Sequence, residues 1–218
     1  MVAGAVFSST VIPPVLVILG PAHREIGSLF AIQAEGSWQT PLGESPIESG
    51  LASLIVAGCP LVEVNERAHL LEHSLEVQVP FIQYFREDAA IVPICISAEA
   101  GYADLDTLGR ALAGAVLAHE KETLIVASTD MSHYVSQKTA EKQDRRAIDR
   151  VLGLDPFGLF TTVVAERISM CGFQPTTAAL VAALALGAKQ AELVRYATSG
   201  DASGDYAQVV GYAGFRIS

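Results

Sequence analysis

The sequence predicts an α/β sandwich, with a mostly parallel or mixed central sheet flanked by helices, and three observations carry that expectation. Apolar runs rich in Val, Ile and Leu recur along the chain. Several are continuous rather than alternating, as strands covered on both faces require. The segments between them have the length and spacing of helices. Finally, 218 residues, half of them apolar and 17% charged, suffice for one large core, so the reading is a single domain over residues 1–218.

Taken in order, strands are expected at residues 15–19, 29–34, 90–96, 123–127, 193–198 and 208–215, and helices at 46–57, 74–85, 105–118, 137–152 and 175–186. The last strand pattern contains Gly211 and Gly214, which mark a bulge or a close backbone approach. Gln174-Pro175-Thr176 sets a proline at the first position of its helix. Trp38 to Gly43 reads as a structured loop.

Ten excess negative charges argue against a nucleic-acid surface or an anionic membrane, since phosphates need clustered cations and the fourteen basic residues are scattered. Cys59, Cys95 and Cys171 are far apart and odd in number, which points to a reduced, cytoplasmic setting rather than a disulfide framework. No Lys or Arg precedes Arg24, and Pro13-Pro14 break the leading apolar stretch, so it reads as neither signal peptide nor membrane span.

Chemistry is expected just beyond two strand ends, where open α/β sheets keep their ligands. Gly20-Pro21-Ala22-His23 follows the first strand, and Asp130-Met131-Ser132-His133-Tyr134 follows the fourth. Imidazole is a common metal ligand and the usual general base near neutral pH; the plainer reading is a loop His that satisfies a turn. Cys171-Gly172 precedes a helix start, where the dipole and free N–H groups would acidify a thiol. Cys171 is therefore the cysteine to choose for ligation or reactivity, with a small buried thiol as the alternative. Two imidazoles and a thiolate form a sensible ligand set for zinc, iron or copper. Asp130 and Ser132 lie too near His133 in sequence for a local Ser-His-Asp triad, although either can orient the ring. Asp201 also follows a strand and reads as an ordinary Gly-Asp turn or a crevice carboxylate.

His69-Leu70-Leu71-Glu72-His73 matches H-x-x-E-H, the inverted zinc-peptidase signature. The chain is short for such an enzyme, and no downstream Glu stands out as third ligand. The better reading puts Glu72, His73 and Glu76 on the polar face of a helix whose other face is Leu75, Val79 and Ile82, bent by Pro80. That face can still line the crevice. Neither a Walker loop nor a dinucleotide glycine pattern is present.

Together ILGPAH (18–23), W.TPLG (38–43), EHSLEVQVPF (72–81), ASTDMSHY (127–134), ISMCG (168–172), TSGD (198–201) and VVGYAG (209–214) closely resemble the Memo family, known in prokaryotes as protein B of the AmmeMemoRadiSam system. The resemblance implies a fold similar to class III extradiol ring-cleaving dioxygenases. Carried over, His23 and Cys171 would be metal ligands and His133 the acid/base residue or a further ligand. The family's PHAGY-like first element has no counterpart, and Val2 stands where its His would be. The ion (iron, copper or zinc) would then be held by fewer ligands or be absent. The missing leading segment would expose sheet and favour a homo-oligomer. Two functions follow: a metal-dependent redox or dioxygenase-like protein, or an accessory protein binding a peptide or small molecule in the same crevice, with AMMECR1-like and radical-SAM partners implied by the family.

Overall fold

The computed structural model describes residues 2–218 as an α/β fold with a mixed central sheet flanked by helices. Helix α1 (Val2–Ser8) leads into β1 (Val15–Pro21), whose every residue is buried. The sheet is completed by β2 (Phe30–Ile32), β5 (Val62–Val64), β6 (Ala90–Ile96) and β7 (Thr123–Ala127), in the order β5-β2-β6-β1-β7. β1 runs parallel to β6 and β7, and β2 parallel to β5, while β2 and β6 are antiparallel. The continuous apolar runs are explained by alternation between two cores. Val15, Val17 and Leu19 join Leu51 and Ile55 of α2 (Ser49–Gly58), Leu105, Leu108 and Leu112 of α4 (Tyr102–Ala118), and Ala178 and Ala182 of α7 (Phe173–Ala185). Leu16 and Ile18 point to the other face, against Phe7, Leu75 and the Val79 and Ile82 of α3 (Val79–Phe85). Each fully buried side chain of this kind contributes about 2 kcal/mol.

The last two predicted strands do not extend this sheet. β9 (Ala191–Thr198) and β10 (Val209–Ile217) form a separate antiparallel sheet with the short β8 (His133–Val135), covered by α5 (Gln137–Leu152) and α6 (Pro156–Glu166) around a third apolar cluster. Gly211 is a close approach, as expected: a Cβ there would lie 2.0 Å from the buried Asp144 carboxylate. The pairing of β10 with β9 shifts register at Gly214/Phe215.

Other expectations are corrected. The helix expected over 74–85 starts as a 3₁₀ turn, Glu76–Gln78, that leads into α3, so Glu72 and His73 lie outside it on the segment that follows another 3₁₀ turn, Glu66–His69. Pro80 stands in the first turn of α3 rather than bending a longer helix. The helix expected from residue 46 begins at Ser49, because Pro46 closes the hairpin of β3 (Ser37–Thr40) and β4 (Gly43–Pro46), in which the Trp38 loop resides. Helix α7 starts at Phe173, so Pro175 is its third residue. Helix α6 has no counterpart among the expected elements, since Thr161, Thr162, Val163 and Val164 give β-branched rather than helical signals; Asp155 nucleates it by accepting the Gly158 N–H at 2.8 Å. Among the described residues no helix is long and apolar enough to cross a membrane.

Candidate functional site

The loops after the adjacent parallel strands β1 and β7 leave the same carboxyl edge of the sheet, with residues 72–74 bonded to the first and the segment before α7 packed on the second. Glu72 organises the first half. Its side chain is almost wholly buried and accepts four N–H groups: His23 backbone at 2.6 Å, His23 Nδ1 at 2.9 Å, His73 backbone at 2.8 Å and Ser74 backbone at 2.9 Å. Burial alone would raise its carboxyl, but these donors, His23 foremost, hold it down to about 2. An ionised carboxylate only accepts, so His23 Nδ1 must carry a proton and, when the ring is neutral, the lone pair is on Nε2. The His73 ring stacks on His23, centroids 4.8 Å apart, and is largely exposed. Ser74 Oγ donates to the Pro21 carbonyl at 2.8 Å and ties this segment to the end of β1.

The second half is built on Asp130. Its backbone N–H donates to Cys171 Sγ at 3.2 Å, and its Oδ2 lies 3.8 Å from His133 Nε2. His133 Nδ1 faces the Ser169 carbonyl at 2.7 Å; a carbonyl can only accept, so this ring too exposes Nε2 when neutral. Ser169 Oγ accepts the His133 backbone N–H at 2.7 Å. Burial raises the Asp130 carboxyl, and His133, His23 and His73 pull it back, so the field of all three imidazoles reaches this carboxylate. Gly172 permits the close approach of the segment before α7 to the loop after β7: a Cβ there would sit 2.4 Å from the Ser128 carbonyl and 2.5 Å from Thr129 Cβ. The Gly172 N–H donates instead to Thr129 Oγ1 at 3.0 Å.

Cys171 is not acidified. Burial pushes its thiol up, and the Asp130 carboxylate adds to this, against the N–H···S bond from Asp130. The dipole of α7 does not prevail because Cys171 precedes the N-cap, Gly172, and is desolvated by its neighbours. All three cysteines are free.

His69 and Glu72 of the H-x-x-E-H match do not face one site. His69 is buried, its Nδ1 3.4 Å from Cys95 Sγ and its ring edge-on to Trp38. Desolvation lowers its pKa to about 4, and raises Cys95 to about 12. This is a neutral imidazole and a neutral thiol, not a nucleophilic ion pair. Asp201 acts locally, accepting the Thr198 N–H at 2.8 Å within the turn that starts the short helix α8 (Gly200–Ser203). Ser132 donates to Gln143 at 3.3 Å, while its backbone N–H reaches the buried Asp144 at 2.9 Å.

Among the described residues, the group bringing three candidate donor atoms within 4.8 Å of one another is His23, Glu72 and His73. His133 and Cys171 lie beyond that spacing but connect to it through Asp130. Ser169 and Thr129 escape sequence reasoning, because what they contribute is a backbone carbonyl and a hydroxyl that carry no motif signal. Glu72 is expected at the crevice from the sequence, but its acceptance of four N–H groups is not legible there.

A family model described as Memo-like protein matches residues 1–216. A MEMO1 family protein of Methanopyrus kandleri is 43% identical over 205 residues, 92% of this chain and 71% of the relative. One from Methanothermobacter thermautotrophicus is 43% identical over 202 residues, 93% of this chain and 73% of the relative. The solved structure of an uncharacterised Escherichia coli K12 protein superposes with a TM-score of 0.66 at 14% identity, covering 97% of this chain and 90% of that one, a likeness of fold alone. The match along almost the whole chain and the identity to these relatives carry one conclusion: the chain belongs to the Memo family.

Proposed function

We propose that the crevice is a metal-dependent redox site of dioxygenase-like type, in which His23 and Cys171 hold an iron, copper or zinc ion and His133 handles protons. The observation that carries this reading is the presentation of the two imidazoles. Each has its Nδ1–H engaged by an obligate acceptor, Glu72 or the Ser169 carbonyl, so each ring, when neutral, carries its lone pair on Nε2. Two rings fixed in that state fit a metal better than a loop His that caps backbone.

The donor set suits borderline to soft first-row ions, because it combines imidazole with sulfur. His73, whose ligand atom lies within 4.8 Å of that of His23, would supply a third ligand, as catalytic metal sites generally need. The N–H of Asp130 already donates to Cys171 Sγ, an arrangement that stabilises negative charge on sulfur. When bound, the ion would polarise a coordinated oxygen atom or exchange an electron. His133 Nε2 beside Asp130 can take a proton from a substrate hydroxyl, and the carboxylate stabilises the imidazolium so formed.

Elemental analysis of protein purified without chelators or affinity metals tests this directly. About one equivalent of iron, copper or zinc is expected in the parent, and loss of that metal with retained folding in Cys171→Ala and His23→Ala. Metal-free parent protein that also fails to take up these ions in dialysis removes the proposal, and leaves the crevice as a binding site for a small molecule or peptide.

A further inference from the structure

A groove of about 590 Å³ shares none of the crevice residues named above and lies between the β3–β4 hairpin and residues 66–80. Its size is that of a ligand site. Trp38, Pro41, Leu70, Val77 and Pro80 form its apolar lining, and among the described residues Glu66 and Glu76 are its only acidic side chains and no Lys or Arg borders it. Both carboxylates are exposed, and neither takes part in an ion pair among the described residues. The neighbouring His69 is kept neutral by its burial and adds no compensating charge. The groove is therefore locally anionic and apolar.

Two further features point to an occupant. Residues Ser37, Trp38, Gln39 and Thr40 all line the groove and constitute β3, which pairs with β4 on one side and, among the described residues, with no strand on the other. A free strand edge offers backbone donors and acceptors to an extended segment. His69, only 8% exposed, borders the same groove, and its Nε2 makes no hydrogen bond of normal distance and angle among the described residues, although the Ala31 carbonyl acts on the ring and raises its pKa. Such buried unpaired atoms are rare and often mark a site completed by something else. The indole of Trp38 is fixed by donating Nε1–H to Gln33 Oε1 at 2.7 Å, and offers an aromatic surface on which a guanidinium can stack.

We infer that this groove receives an extended peptide segment of a partner protein, added along β3, with a Lys or Arg side chain set against Trp38 between Glu66 and Glu76. Charge complementarity selects the cation, and the strand edge selects a peptide over a free amine. The inference does not depend on metal in the crevice.

Trp38 is the chain's single tryptophan, so its emission reports on the groove directly. The probe is a short capped peptide of alternating Val and Arg, titrated at low salt, with the citrulline analogue and agmatine as comparisons. Expected is a saturable emission change with the Arg peptide, weakened about tenfold or more with citrulline and in Glu66→Gln/Glu76→Gln. Glu99→Gln/Glu120→Gln, which removes equal charge from surface outside the groove, should stay within about twofold. No saturable change by emission or calorimetry, equal binding of the citrulline peptide, or an effect of the control variant as large as that of the groove variant overturns the proposal. Agmatine binding as tightly as the peptide also overturns it, in favour of a small-cation site.

Discussion

His69 and Cys95 meet inside the core with Nδ1 and Sγ 3.4 Å apart, whereas His133 and Cys171 are joined through Asp130 at the crevice. The residue types are the same and their environments are not. Desolvation holds the first pair neutral, with His69 at about 4 and Cys95 at about 12, and Trp38 closes over the imidazole. The second pair keeps a half-buried thiol and an imidazole anchored by a backbone carbonyl. The difference teaches that His and Cys become candidate chemistry here through the loops beyond the strands, whereas Cys95, within β6, is packing.

The largest effect expected on this comparison comes from Glu72, which orders the crevice without belonging to either pair. Glu72→Ala leaves four N–H donors without their acceptor and should cost about 4 kcal/mol in urea unfolding, with His23 losing its fixed tautomer. A loss below about 1 kcal/mol would mean water replaces the carboxylate readily, and the crevice is less preorganised than its geometry suggests.

Next is acid sensitivity between pH 6.5 and 4, which should come from His69 of the core pair. The folded pKa of His69, about 4, lies below its ordinary 6.5, so over that interval the unfolded chain binds a proton that the folded chain does not. Stability therefore rises with pH across the window and about 3 kcal/mol is lost on acidification from 6.5 to 4. Urea titrations at a series of pH values should show this slope, and His69→Phe should flatten it. An unchanged slope in the variant would assign acid sensitivity to other groups.

A smaller contrast separates the cysteines. Cys95→Ser puts a hydroxyl into a fully buried position and should cost about 1–2 kcal/mol without changing metal content, while Cys171→Ala should cost less than about 1 kcal/mol and abolish metal retention. Smallest is thiol labelling of the native protein. Cys171 should react slowly, because its thiol is pushed up, and Cys59 and Cys95 only after unfolding. Equal labelling of Cys95 and Cys171 would erase the distinction between the pairs.

Much of the fold is legible in the sequence because its signals are local. Residues 90–96, 123–127 and 137–152 form β6, β7 and α5 with the expected bounds, since a continuous β-branched run and an amphipathic period each arise within one segment. The segment around Glu72 departs from expectation for the converse reason. A helical polar face fits the spacing of Glu72, His73 and Glu76, but Glu72 is bonded to His23, 49 residues away, and lies outside the helix, which starts only after the 3₁₀ turn Glu76–Gln78. At Cys171 the helix dipole is outweighed by desolvation, which depends on packing rather than position in the chain.

By itself the sequence determined the alternation of strands and helices, the two imidazole loops beyond β1 and β7, the close approach at Gly211 and, through its joint motifs, membership of the Memo family. Only the tertiary structure decided that residues 191–217 leave the central sheet, that His69 is sealed against Cys95, and that Glu72 and Ser169 choose the tautomers of His23 and His133. Hydrophobic periodicity is set by neighbours along the chain. A protonation state is set by whatever donor, acceptor or apolar surface the fold brings alongside, here from 36 to 49 residues away.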